Sequence, residues 1–114
     1  MRSTCPISQT LDILGDRWTL LVIRDLMLVG KSQYSEFLNS PEKISTNILA
    51  ERLRRLEAAD IIEKHAYQSN PPRYEYKLTA KGNDLRPLIR EITKWGIENL
   101  KDTKIPAFLS KKPD

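Results

Sequence analysis

Ser45, Thr46 and Asn47 stand side by side at the head of an amphipathic run that also carries Arg52, Arg54 and Arg55. These residue types suit the surface of a nucleic-acid duplex. An Asn carboxamide can both donate to and accept from an adenine edge, and Ser or Thr hydroxyls serve bases or phosphates. At the start of a helix such groups reach base edges in the major groove, with arginines further along for bases or phosphates. Arg73 and Lys77 follow in a strand-like segment just past Asn70-Pro71-Pro72. From there Arg73 can enter a minor groove or neutralise a phosphate. Gln33 and Ser35 open a preceding short segment, where short side chains and free backbone N–H groups hold phosphate.

Each of these residues also has a plainer reading. Ser45 is a helix cap as well as a contact. Arg52 sits close to the apolar stripe, so a structural salt bridge suits it equally. Arg55 reads as a solvated or intrahelical pair, and Arg73 could simply close a hairpin.

Positioning these side chains requires a frame, and the apolar periodicity supplies one. Pro6 opens a helix over 7–14, with Cys5 at its N-cap position. Gly15 can end that helix in a left-handed conformation, and Asp16 can cap the next. Residues 17–28 are apolar at Trp18, Leu20, Leu21, Val22, Ile23, Leu26, Met27 and Leu28, around most of the circumference. That distribution predicts a buried central helix, followed by a turn at 29–32. A short helix over about 33–39 follows, capped by Ser32 and packed through Tyr34, Phe37 and Leu38.

Residues 40–43 break the chain before a helix capped by Ser45. Its stripe is Ile48, Leu49, Leu53 and Leu56, with Ile44 packing just ahead of the cap. Ala59-Asp60 ends it, Asp60 being a tolerable left-handed residue. Strands are predicted over 61–67 and 73–78, joined by a loop at 68–72 whose prolines cannot continue the ladder. Thr79 caps a last helix to about 101, apolar at Leu85, Leu88, Ile89, Ile92 and Trp95 and bent, or delayed in its start, by Pro87. Residues 104–114 read as a frayed tail. The expected fold is mainly α with a small β-hairpin, a winged helix-turn-helix in one domain over 1–114. Residues 33–39 and 45–58 are its helix-turn-helix pair.

Composition bounds the partners. The chain has 114 residues, 39% hydrophobic and 30% charged, which describes one soluble globular domain. No apolar run reaches the roughly 20 residues of a membrane span, and the N-terminal stretch lacks the pattern of a signal peptide. One cysteine excludes an internal disulfide and fits a reducing cytoplasm. One histidine and one cysteine build no metal site within a chain. With no phosphate loop, nucleophile motif or placed acid pair, an enzyme is disfavoured, and no cofactor is expected.

The net charge of +4 favours polyanions in general. It is not concentrated at the candidate site. Residues 43–77 hold seven Lys/Arg against five acids, half the net excess, and the stretch from Asn99 holds the other half.

Taken together, these blocks resemble the HxlR type of winged-helix transcriptional regulator, a branch of the MarR-like group. The match runs from Cys5-Pro6 through Leu14-Gly15-Asp16-Arg17-Trp18-Thr19, where the family reads close to LGGKW. It continues with Ile44-Ser45, Leu49, Arg52-Leu53 and Leu56-Glu57. Pro72-Arg73-Tyr74-Glu75-Tyr76-Lys77-Leu78-Thr79, Lys81-Gly82 and Trp95-Gly96 complete it. The chain departs from the family at Asp60, where Gly is usual, and at Gln33-Tyr34, where Arg-Phe is common. The second departure replaces a charged contact by a neutral one and lowers the expected salt sensitivity.

The resemblance implies a homodimeric bacterial or archaeal DNA-binding regulator, cytoplasmic, on an inverted-repeat operator of double-stranded DNA. The dimer face would be Leu11, Ile13 and Leu14 of the first helix with Leu88, Ile92 and Trp95 of the last. Trp18 and Trp95 then belong to core or interface rather than to a ligand cage. A small-molecule effector in the interface is one expected control. Some members of the family sense electrophiles or oxidants through a cysteine near Cys5, whose N-cap placement favours a reactive thiol; the alternative is an idle thiol. The competing class is a winged-helix protein-interaction module without DNA, which Arg52, Arg54 and Arg55 argue against.

Overall fold

In the computed structural model, which describes residues 3–103, the elements run in the order α1 (Pro6–Leu14), α2 (Arg17–Arg24), α3 (Tyr34–Phe37), α4 (Thr46–Ala58), β1 (Ile62–Ser69), β2 (Pro72–Leu78), α5 (Ala80–Asn83) and α6 (Arg86–Asn99). The expected tail at 104–114 lies outside the described residues. The architecture is mainly helical with a two-stranded antiparallel hairpin, as the periodicity requires.

Leu14, Val22, Ile23, Met27, Phe37, Ile44, Leu49, Leu53, Leu56, Ile61, Ile62 and Ile89 form one core, so every helix except α5 contributes to it. Leu49, Leu53 and Leu56 recur at the spacing of one helix face, and burying that face fixes the rotation of α4 about its own axis.

Caps set the boundaries. Asp16 accepts the Thr19 N–H at 3.0 Å, Ser45 accepts the Ile48 N–H at 3.2 Å, and Thr79 accepts the Gly82 N–H at 3.0 Å. Pro6 occupies the first turn of α1, where its missing donor is no loss. Cys5 is the N-cap residue, but its side chain makes no cap hydrogen bond. Asp60 adopts the expected left-handed backbone (φ 61°) after α4.

Several boundaries differ from the sequence expectation. Gly15 ends α1 with φ −76°, not in the left-handed region. The central helix stops being α-helical at Arg24 and widens into a π-helical turn, Asp25–Val29, closed by left-handed Gly30 (φ 84°). There the Lys31 N–H reaches back to the Asp25 carbonyl, at 2.9 Å. The third helix is shorter than predicted and capped by Gln33, not Ser32. Pro87 splits the predicted last helix. Because a proline is tolerated only in the first turn, α5 ends at Asn83 and α6 starts at Arg86 with Pro87 in its opening turn. Gly82 suits the tight approach of α5 to the residue just before β1, since a Cβ there would fall 2.1 Å from the Ile61 carbonyl oxygen.

The hairpin is longer than predicted. Gln68 pairs with Arg73 and Ser69 with Pro72, so the strands close nearly at Asn70-Pro71, whose peptide bond is cis. Pro72 fits at the strand's first residue, and a bulge between Ala66 and Gln68 absorbs the register change.

Candidate nucleic-acid interface

α4 presents its first turn to solvent. Ser45, Thr46 and Asn47 are all exposed, whereas Leu49 two residues on is completely buried. The start of the helix is fixed from the side, because the Tyr34 hydroxyl donates to the Thr46 carbonyl at 2.8 Å. That bond is how α3 supports α4. Ser35 is exposed beside it, and Gln33 is half-buried. Glu36 accepts the backbone N–H groups of Gln33 (2.9 Å) and Ser32 (3.1 Å), which holds its carboxyl below the ordinary carboxylate range.

The hairpin is tied to this pair by contacts that local pattern does not reveal. Gln33 bridges Glu75 in antiparallel fashion, and the Tyr76 N–H donates to the Ser32 carbonyl at 2.8 Å. Tyr76 also packs edge-on against buried Phe37, with ring centroids 6.3 Å apart. The base of the wing is therefore fastened to the entrance of α3, while residues 63–74 are exposed. Arg73 lies near the tip without an ion-pair partner among the described residues. Lys77 is exposed and 3.6 Å from Glu75, and Lys64 stacks over the Tyr74 ring at 4.6 Å.

The three arginines of α4 separate. Arg54 is exposed and without an ion-pair partner among the described residues. Arg52, which sequence left between DNA contact and structural bridge, is committed to the frame. Its Nε donates to Asp16 Oδ1 at 2.9 Å and its Nη1 pairs with Glu51. Its guanidinium is engaged within the chain by the carboxylate that caps α2, the structural-bridge reading of the two that sequence offered. Arg55 lies 3.7 Å from the same carboxylate and 3.6 Å from Glu51.

Asp16 is thus a hub between α2 and α4. Partial burial raises its pKa, but the hydrogen bonds from Thr19 and Arg52 outweigh that and hold the carboxyl at about 2. The Thr19 hydroxyl donates to it at 2.6 Å.

A second open surface lies on α1 and α6. Ile7, Leu11, Leu88, Ile92 and Trp95 are exposed, Trp95 at 60% and Leu11 at 57%. Pro6, Ile7, Leu11, Leu20, Leu88 and Ile92 line an open apolar groove of about 330 Å³. Leu14, expected in a dimer face, is 4% exposed and belongs to the chain's own core, with an edge lining the groove. Ile13 is half-buried against the core. Cys5 is an exposed free thiol beside Pro6.

No helix among the described residues is long and apolar enough to cross a membrane.

Comparison with known proteins places this geometry. A family model described as HxlR-like helix-turn-helix matches residues 13–104. An uncharacterized HTH-type transcriptional regulator of Synechocystis sp. is 37% identical over 105 residues, covering 92% of this chain and 77% of the relative. The uncharacterized HTH-type transcriptional regulator YvaP of Bacillus subtilis is 37% identical over 106 residues, covering 92% and 94%. Among solved structures, the redox regulator HypR in its reduced form superposes with a TM-score of 0.77 at 33% identity, covering 85% of this chain and 95% of HypR.

Proposed function

The chain belongs to the HxlR-like helix-turn-helix family of transcriptional regulators, and from that premise we propose that it acts as a homodimer on an inverted-repeat operator. The observation that carries the reading is the pairing of two unlike open surfaces on one small fold. One is the polar first turn of α4 with the wing cation Arg73, and the other is the apolar groove of α1 and α6.

In this reading Asn47 reads a base edge, and Ser45 and Thr46 serve bases or phosphates. Gln33, Ser35, Arg54, Arg73 and Lys77 hold the backbone on either side. Leu11, Leu88, Ile92 and Trp95 meet the same surface of a second copy, so that two α4 helices enter successive major grooves. A single α4 presents only about one turn of base-reading residues, and pairing two sites multiplies affinity through effective concentration.

Control acts through the same interface, because whatever changes the packing of α1 changes the spacing of the two α4 helices. A small apolar effector in the groove is one such input. Thiol modification at Cys5 is another: two electrons and two protons pass to an oxidant such as diamide as Cys5 and a second thiol join in a disulfide. HypR, similar in fold, is described as a redox regulator.

The test is a mobility shift with duplexes from upstream of the chain's own and neighbouring genes. Preference for one of them over random competitor at moderate salt is expected. Equal binding to all duplexes removes the operator reading, and binding to none points instead to a winged-helix interaction module. For the switch, Cys5→Ser should abolish the effect of diamide on binding, and an undiminished effect in the variant removes Cys5 from control.

A further inference from the structure

The turn between α3 and α4 is clamped by a charged cluster set away from the exposed first turn of α4. Arg24, the last residue of α2, spans Glu42 with two hydrogen bonds, Nη1 to Oε2 at 2.7 Å and Nη2 to Oε1 at 2.9 Å. The same guanidinium donates to Asp25 Oδ1 through Nε at 3.1 Å and Nη2 at 2.8 Å. Asp25 is buried at 3% exposure, and its other oxygen accepts the Ser40 hydroxyl. Lys31 Nζ lies 3.1 Å from Ser40 Oγ and 3.6 Å from Asp25 Oδ2. Two cations and two carboxylates therefore balance, and no buried side-chain polar atom among the described residues lacks a partner.

The cluster grips residues 40–42 from the point where α2 widens into its π-helical turn. Lys43 follows in a left-handed conformation (φ 58°), its N–H bonded to the Ser40 carbonyl at 3.0 Å. Buried Ile44 and the Ser45 cap come next. Only Lys43 and Ile44 separate the grip from the Ser45 cap.

A buried ion-pair network adds little net stability compared with apolar packing, but it admits one geometry. We propose that Arg24, Asp25, Ser40 and Glu42 are positioning residues for duplex recognition, fixing the height and direction at which α4 presents Ser45, Thr46 and Asn47. The proposal rests on the DNA reading above. The Tyr34 hydroxyl also holds the first turn of α4, at the Thr46 carbonyl, so loosening the clamp would let the helix tilt about that anchor.

The experiment compares wild type with Arg24→Met/Glu42→Met, which removes one charge of each sign and leaves net charge unchanged. Glu42→Gln is the second variant, nearly isosteric and at a partly exposed site, for use if the double variant folds poorly. Affinities for the preferred duplex and for random duplex are measured at a temperature where circular dichroism shows each variant folded.

The expected result is a fall of about tenfold in the preferred-to-random ratio, the scale of one lost base contact. Random-duplex affinity and its salt dependence should stay within about twofold, since no phosphate-neutralising cation is touched. A purely structural role would move the melting temperature and leave the ratio at its wild-type value. Folded variants with a wild-type ratio overturn the proposal while the DNA reading stands. A wild-type protein with no duplex preference overturns both.

Discussion

The α4–wing surface and the α1–α6 surface are both open to solvent, yet they are built on opposite rules. On the first, the apolar stripe of α4 turns inward and the exposed groups include Ser45, Thr46, Asn47, Arg54 and Arg73, with Tyr67 and Tyr74 of the wing the exposed aromatics. On the second, Ile7, Leu11, Leu88, Ile92 and Trp95 stay outside the core. Burying a side chain of that kind contributes about 1.5–3 kcal/mol, so an uncovered row of them is what a proposed dimer interface would cover. The first surface offers hydrogen bonds and positive charge, which suit a polyanion. The second offers only area, which suits a like surface on a second copy. One small core supports both because α4 turns its apolar stripe into it, whereas α1 commits Leu14 and leaves Ile7 and Leu11 outside.

If the two surfaces depend on each other, damaging the apolar one should cost most at the polar one. Leu11→Glu with Ile92→Glu places acids in the groove. Light scattering should report a monomer, and operator affinity should fall by about a hundredfold or more, the usual scale of lost avidity. A variant that stays dimeric, or a monomer with full affinity, breaks the comparison.

Damage confined to the polar surface should leave the assembly alone. Asn47→Ala is expected to weaken operator binding roughly tenfold to a hundredfold, from the 1–3 kcal/mol of a bidentate base contact. Its molar mass by light scattering should match wild type.

Arg73→Met probes the electrostatic part of the same surface. Binding should drop severalfold for every duplex, and the slope of log affinity against log salt should flatten by about 0.9, one phosphate contact. An unchanged slope would return Arg73 to hairpin closure.

The smallest effect should come from Asp16→Asn, which cuts the frame between α2 and α4 and touches neither surface. The Asp16 carboxyl sits at about 2 against an ordinary 3.8, so its stabilising contribution is present above pH 4 and is lost as pH falls from about 4 toward 2. Allowing for solvent screening at its partly exposed site, that contribution is on the order of 1 kcal/mol. Acid unfolding of the variant should be correspondingly less steep in that window, with duplex preference close to wild type at neutral pH.

The two surfaces were not equally legible in the chain. α4 announced itself through Ser45 and the spacing of Leu49, Leu53 and Leu56, because cap chemistry and helical period are local signals. Asp60 as a left-handed stop was legible for the same reason. The hairpin's extra length was hidden by Pro72, which reads as a breaker but fits a strand's first residue.

Contacts across the chain left no local trace. Nothing in a window around Arg24 or Glu42 shows that they meet across eighteen positions. The Gln33–Glu75 bridge is likewise long-range. The intrachain surroundings of Leu14 and Arg52 were hidden for the same reason, since periodicity marks a side chain as apolar or polar but not which surface it meets. For Leu14 that was its own core, and for Arg52 the Asp16 carboxylate.

The central claim is that two copies read one duplex symmetrically, and selection of bound sequences from a random duplex library with the wild-type chain tests it directly. The predicted result is an enriched inverted repeat with half-sites centred about 10 base pairs apart, one helical turn. Enrichment of a single unpaired half-site, or no enrichment over the starting library, would contradict it.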